Sequence, residues 1–396
     1  MRTRRRRSQV YAFTLAVLIA ISCLVVCCDL FFLSVIHLPL EEEKASAPIN
    51  VDECLRLTPP SAVSIWKERE FVVIVGIPSV DRDEWQKRRN LQRRTCWQYA
   101  GVATLENNFT GELLPLYLLA PHQLNGYEIS ESLRDEASRT NDVVMLPTND
   151  VCSFSRRKIG EGGSWGVESE LVMSRKTFLW LQFAVTAFPN VSYIVKGDDD
   201  VFVRVPQYLA DLRVMPRNGL YMGRVYGATF FWRSGGIPFA AGYFTTFSRD
   251  VAEAVASYRP LERLLKAPYS IWRMRQYLSM SVLHEDVMTA LVLQDKIRYK
   301  GLIIVDAAPC HFHNAGKKGI RASLIDEYVV VHHIKENDYG VLMNHFADIA
   351  VQPKPSKVMW RSENYAVMQC FATLRLRRSA LLALLSALDT TFRRHP

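Results

Sequence analysis

Glycine-rich phosphate loops are missing from these 396 residues: neither G-x-x-x-x-G-K-[ST] nor G-x-G-x-x-G occurs, so neither a P-loop nor a dinucleotide site is supported. No C-x-x-C pair occurs among the eight cysteines, which argues against zinc ribbons. Glycine (19) and proline (18) are too few for collagen or a low-complexity polymer, and 49% hydrophobic residues exclude wholesale disorder. Internal repeats are absent, as is any basic stripe interleaved with stacking aromatics, so nucleic acid is not an expected partner. The net charge of +9 does not reopen that question. Five of the basic residues are Arg2, Arg4, Arg5, Arg6 and Arg7, and beyond residue 29 there remain 44 basic against 39 acidic side chains.

What is present begins with a long uncharged run. Ser8 through Cys28 carries no charge, and after Asp29 the apolar residues resume from Leu30 to Ile36. A bilayer core takes roughly 20 apolar residues as a helix, whereas the apolar region of a cleaved signal peptide is about 7 to 15. Arginines precede the run and Glu41, Glu42 and Glu43 follow it, so the positive-inside bias predicts a type II signal anchor. The expected organisation is a basic cytosolic tail over 1–9, a transmembrane helix over 10–36 and a proline-bearing stem over 37–69. A catalytic domain over 70–365 and a C-terminal amphipathic helix over 366–396 follow. Sequons at Asn108 and Asn190 suit the far side of the membrane. Cys54, Cys96, Cys152, Cys310 and Cys370 lie past the anchor and allow at most two intrachain disulfides, whose pairing is not readable.

Short apolar runs at 71–77, 113–120, 143–146 and 193–195 alternate with helix-length stretches such as Glu168 to Phe188. That is the pattern of an α/β fold with a mostly parallel sheet covered by helices on both faces. One such run opens into Lys196-Gly197-Asp198-Asp199-Asp200-Val201-Phe202-Val203. Three consecutive carboxylates repel unless a cation neutralises them, and hard oxygen ligands suit Mg²⁺ or Mn²⁺, which in turn hold phosphates. A solvated acidic turn is the plain alternative, but the flanking apolar residues place these acids at the mouth of a buried strand. Phosphatases with an aspartyl nucleophile put Thr or Val two residues beyond D-x-D, where this chain has Phe202.

Glu285-Asp286 precedes the apolar run Val287 to Leu293 and reads either as a helix cap or as a general base aimed at a sugar hydroxyl. Among the late histidines, His311 and His313 lack the spacing of a metal set and are expected to be structural. Neighbours on a strand face opposite ways, so at most one of His332 and His333 is expected to reach a given metal.

In order, these motifs resemble inverting glycosyltransferase family 31, the β-1,3-galactosyl- and β-1,3-N-acetylglucosaminyltransferases, and most closely its trypanosomatid phosphoglycan β-1,3-galactosyltransferase branch. R-x-x-x-R-x-T-W appears from Arg89 through Arg93 and Thr95, with Trp97 one residue late. K-T-x-x-W is Lys176-Thr177-Phe178-Leu179-Trp180, K-x-D-D-D-V-F-V is Lys196 to Val203, G-Y is Gly242-Tyr243 and E-D-V is Glu285-Asp286-Val287. The glycine-rich stretch from Gly160 to Gly166 and the C-terminal extension depart from the animal pattern.

The resemblance implies a glycosyltransferase A fold, a Rossmann-like domain in the Golgi lumen. It would transfer galactose or N-acetylglucosamine from a UDP-sugar to a glycan acceptor on a glycoprotein or phosphoglycan, with Mn²⁺ or Mg²⁺. Asp198, with Asp199, Lys196 and Arg93, would face the nucleotide. Asp200 and Asp198 would hold the metal with His332, or with His333 in its place, and Asp286 would be the base. Two other readings remain: a catalytically silent Golgi relative acting as a scaffold, and a metal-dependent phosphatase or nucleotidyltransferase.

Overall fold

The computed structural model describes residues 48–152, 164–230, 235–316, 320, 324–347 and 353–370, together with 17, 22 and 23. The expected membrane span over 10–36 thus lies outside the described residues except for Val17, Ser22 and Cys23, and the expected helix beyond residue 370 lies wholly outside them. No described helix is long and apolar enough to cross a membrane. The chain divides into two units, Met1–Pro48 and Ile49–Pro396, and among the described residues every strand belongs to the second.

Residues expected to form a stem are folded from Ile49 onward. Helices α1 (Val51–Cys54) and α2 (Pro60–Glu68) bury Cys54, Ala62 and Trp66. The Trp66 ring meets Phe109 edge-on at 5.7 Å and Phe188 at 6.1 Å. With 4 and 9 residues, neither helix is long enough to show a period in the sequence. Strands β1 (Val73–Pro78), β2 (Leu113–Leu119), β3 (Val143–Met145) and β4 (Tyr193–Gly197) are buried along their whole length. Between them run α3 (Asp83–Arg94), α4 (Glu131–Thr140) and α5 (Val167–Ala187).

Past β5 (Val201–Val203) and α6 (Val205–Leu212), the sheet is completed by β6 (Leu220–Gly223), then β9 (Phe244–Ser248), β10 (Ile303–Asp306), β13 (Val358–Ser362) and β14 (Tyr365–Met368). Its order is β13-β14-β10-β6-β9-β4-β1-β2-β3. Every neighbouring pair is parallel except β13 with β14 and the two that flank β9. The mostly parallel expectation therefore holds, with β9 reversed in the middle of the sheet. Strand β14 crosses the expected boundary at 365/366, and a Cys310–Cys370 disulfide ties the residues just after it to the domain.

Two apolar layers sandwich the sheet, and the period-two rule sorts each strand between them. Ile74, Leu114, Leu116, Leu118 and Ile194 pack against Phe178, Leu181 and Phe183 of α5. Val73, Val75, Leu113, Tyr117, Tyr193 and Val195 pack on the other face with Trp97, Leu133 and Tyr208. Trp180 lies across β1, donating from Nε1 to the Val195 carbonyl at 2.9 Å. Its indole fits only because residue 76 is glycine: a Cβ there would lie 2.3 Å from the ring.

Connections elsewhere set the stage for the site. A separate hairpin pairs β7 (Val225–Ala228) with β8 (Ile237–Ala240), and a small sheet has the order β11 (Phe312–Asn314), β12 (Val330–His332), β5. Helices α7 (Arg249–Ala256), α8 (Arg259–Lys266), α9 (Met274–Ser279), α10 (Glu285–Leu291) and α11 (Glu336–Ala347) cover the remainder, α10 continuing into a π turn over Val292–Lys296.

Because Trp180 cannot retreat without leaving the Val195 carbonyl, Gly76→Ala is expected to destabilise the domain by about 2 kcal/mol. A urea titration of the purified protein measures this as a lower midpoint.

Candidate active site

The site grows from the end of β4. Lys196 is the last long side chain before the strand gives way to the three aspartates, and it is buried. Its Nζ donates to Asp198 Oδ1 at 2.6 Å, to Glu285 Oε1 at 2.6 Å and to the Gly242 carbonyl at 2.8 Å. Both carboxylates outweigh the cost of burial and hold the ammonium charged far above its usual range. The two acidic motifs of the sequence thus meet on one cation. Glycine at 242 is required for the meeting, since a Cβ there would sit 2.1 Å from Glu285 Oε1.

Asp200 points the other way, toward β12. The antiparallel register sets His332 opposite Val201, which brings its Nε2 to 3.2 Å from Asp200 Oδ1 and 3.6 Å from Asp198 Oδ2. Burial opposes ionisation of Asp200, but the His332 ring, then His333 and Arg88, outweigh it and hold the carboxyl below the usual range. Asp198 moves up, because its burial exceeds the help it receives from Lys196 and His332. Asp199 is pushed up to about 7 by burial, against the pull of Arg88.

Alternation along a strand predicts that at most one of His332 and His333 faces a given side, whereas the backbone brings both imidazoles together. Strand β12 ends at His332, and His333 adopts φ 58°, a left-handed conformation that turns its side chain back. The two imidazoles stack with centroids 3.7 Å apart, and Tyr243 stacks on His332 at 4.4 Å. Donor atoms of Asp200, His332 and His333 all lie within 4.8 Å of one another.

A divalent cation suits this cluster on two counts. Two imidazoles and a carboxylate are a common donor set for first-row divalent ions. In addition, His332 Nδ1 is buried with no hydrogen-bond partner, and His333 Nδ1 is held by Asn314 Oδ1 at 2.7 Å, the kind of outer contact that orients a ligating ring. His311 behaves as expected of a structural residue, with its ring nitrogens against the Glu327 and Gln369 carbonyls at 3.2 and 3.1 Å. Its neighbour Cys310 is in the disulfide and cannot ligate.

Beside the acids lies a cavity of ≈ 250 Å³ lined by Asp198, Asp199, Asp200, Lys196 and Glu285. Trp85, Trp165 and His122 also line it, as does Lys176, which donates to Asp150 Oδ2 and the Ser79 carbonyl, both at 2.7 Å. Asp286 stands behind Glu285, its Oδ2 accepting from the Gly242 N–H at 3.3 Å and its Oδ1 from Val287 N–H at 2.7 Å. Burial, then the Glu285 charge, push its pKa up to about 7.

Arg93 does not join this set. It pairs with Asp142 at 2.8 Å and Glu136 at 2.7 Å, while Arg89, one turn earlier on the same face, grips Glu136 through two further bonds. This pair of arginines binds α3 to α4. The arginine whose charge reaches Asp199 and Asp200 is Arg88, buried, with Nη1 unpartnered. Sequence reasoning missed it; the available signal was helical phase, since residue 88 lies about 100° around the helix from residue 89. Asn108 and Asn190, the sequon asparagines, are both exposed.

No protein-family model and no curated protein matches this chain. Among solved structures it is similar to a glycosyltransferase involved in the glycosylation of the major capsid of PBCV-1, at 11% identity and a TM-score of 0.32, over 69% of this chain and 98% of that one. It is also similar to mouse xyloside xylosyltransferase 1 in its apo form, at 8% identity and a TM-score of 0.33, over 66% and 96% of the two chains. A likeness of this degree carries no argument about function, which has to come from the residues themselves.

Separating scaffold from site gives a paired expectation. Arg93→Ala should cost about 3 kcal/mol of stability by leaving the Asp142 carboxylate without its cation, with Mn²⁺ affinity unchanged, whereas His333→Ala should weaken Mn²⁺ binding at least about tenfold with stability unchanged. Urea unfolding and calorimetric Mn²⁺ titration of the same preparations check both halves.

Proposed function

We propose that this chain is an inverting, metal-dependent β-1,3-hexosyltransferase that moves galactose or N-acetylglucosamine from a UDP-sugar to a hydroxyl of a glycan acceptor. One observation carries the reading: Lys196 draws Asp198 and Glu285 onto a single buried charge at the cavity, which brings the start of α10, where Asp286 follows Glu285, beside the acids of the candidate cation cluster. A phosphatase with an aspartyl nucleophile gains nothing comparable, because Phe202 is buried at the position where such an enzyme carries Thr or Val.

Asp200, His332 and His333 would hold the metal, with Asp198 at its edge. When bound, Mn²⁺ or Mg²⁺ would supply stabilisation of the charge that grows on the departing diphosphate. The protein does the rest. Asp286 takes the proton from the acceptor hydroxyl as its oxygen bonds to the anomeric carbon; the bond from that carbon to UDP breaks on the opposite face, and configuration inverts. Lys196 keeps Glu285 and Asp198 from repelling the base and each other. Trp85 and Trp165 border the cavity and limit water's access to the reacting carbon.

A Golgi-lumenal, single-pass type II placement fits three features: the uncharged run behind five arginines, the Cys310–Cys370 disulfide that needs an oxidising compartment, and the exposed sequon asparagines.

The test uses the full-length protein in detergent with Mn²⁺ and a panel of UDP-sugars, following UDP release with and without acceptor glycans. One donor should turn over, and Asp200→Ala and Asp286→Asn should each lower kcat by about 10³ while the proteins remain folded. A wild-type protein that binds neither UDP nor Mn²⁺ would instead be a silent relative. For the pH dependence, Asp286 must be ionised to act, and its pKa lies at about 7. The rate kcat/KM is therefore expected to be level above that pH and to fall about tenfold per unit below it. A profile unchanged in Asp286→Asn would remove Asp286 from the role.

A further inference from the structure

The β7–β8 hairpin presents an aromatic surface that the proposed transfer step leaves without a role. Tyr226 is 43% exposed, with its ring beside Phe239 at 6.1 Å and 37° and the Arg224 guanidinium 4.9 Å from its centroid.

This surface is rigidly hung from the partners of Asp286. Arg224 Nη1 donates to both Asp306 oxygens at 2.8 and 2.9 Å, and the Val225 N–H reaches Asp306 Oδ1 at 3.0 Å, which fastens the hairpin to the end of β10. Gln294, on the turn that continues α10, donates to the Pro238 carbonyl at 2.7 Å and fastens the other strand. The Arg224 carbonyl accepts from Ala241 N–H at 2.9 Å, and the next N–H along the chain, that of Gly242, is the one that Asp286 accepts. On the far side, Tyr226 and Arg224 are near enough to act on Tyr243, which stacks on His332. Tyr226 is thus tied through Arg224 and Ala241 to the backbone beside Asp286, and through Tyr243 to the cation cluster.

We propose that Tyr226 is the acceptor platform, stacking its ring against the apolar C–H face of the acceptor's hexopyranose so that a hydroxyl at the ring edge is presented to Asp286. Tyrosine suits this use, having a broad apolar face, few rotamers to lose and a polar tip that stays wet. The inference rests on the transferase reading and deepens it by naming the residue that receives the acceptor.

Full-length protein is compared with Tyr226→Ala and Tyr226→Phe for retention on immobilised glycans ending in hexopyranoses, for transfer to those glycans, and for UDP release from donor alone. Tyr226→Ala should raise the acceptor KM and weaken retention at least about tenfold, with donor-only UDP release unchanged, and Tyr226→Phe should restore both to within about threefold. Unchanged retention and acceptor KM in Tyr226→Ala overturns the platform. So does a loss of donor-only UDP release as large as the loss of transfer, or a wild-type protein that retains no such glycan. Retention that depends on Tyr226 in a protein that turns over no nucleotide sugar upholds the platform and overturns the transferase reading instead.

Discussion

A single ammonium group, Lys196 Nζ, is the point on which the site depends. Its three acceptors come from three places in the chain: the loop after β4, the turn before β9 and the start of α10. A lysine this deeply buried survives as a charge only if paired, and a carboxylate beside it needs the same cation; removing either partner from such an arrangement costs about 3–5 kcal/mol. The geometry is therefore reciprocal. Asp198 cannot swing into the cavity without stranding the lysine, and Glu285 cannot leave without breaking the contact that brings α10, and with it Asp286, to the edge of the site.

Against that fixed frame, His333 is one of seven described non-glycine residues at positive φ. A histidine at positive φ is uncommon, and this one occurs where the strand stops and two imidazoles are needed on one side. Tyr243 and Asn314 hold the rings where the backbone leaves them. Strain that is over-determined by its surroundings is a mark of function, and here it converts a strand, which can offer one ligand per face, into an element that offers two.

How much of this was legible in sequence depends on the range of the interactions. Strands β1, β2 and β4 could be read because burial on both faces leaves continuous apolar runs, and α5 because it is long and ends at Pro189. The three aspartates could be read because like charges in an apolar setting demand an explanation. What could not be read depended on where distant residues arrive. Direction is invisible in a run such as Phe244–Ser248, so β9 gave no sign that it is antiparallel. Arg93 looked like a phosphate ligand until Glu136 and Asp142 were found beside it. The Cys310–Cys370 link and the turn of His333 likewise depend on tertiary contacts and a backbone angle that no spacing encodes.

Charge balance gives the strongest physical reason to expect a cation. Asp198, Asp199, Asp200, Glu285 and Asp286 crowd one end of the sheet, where Lys196, Arg88 and Arg89 are permanent cations whose contacts or fields reach them. Lys176, which also lines the cavity, is already neutralised by Asp150. Burial raises carboxyl pKa values and neighbouring carboxylates add to it, and Asp199 and Asp286 stand at about 7 for those reasons in that order. Such an end of a sheet repels a diphosphate until a divalent ion reverses the sign of the field. Asp200, the one aspartate of the three whose pKa moves down, is the carboxylate already poised as an anion beside two imidazoles. The acids at the strand mouth thus gather more negative charge than the lysine and arginines beside them balance.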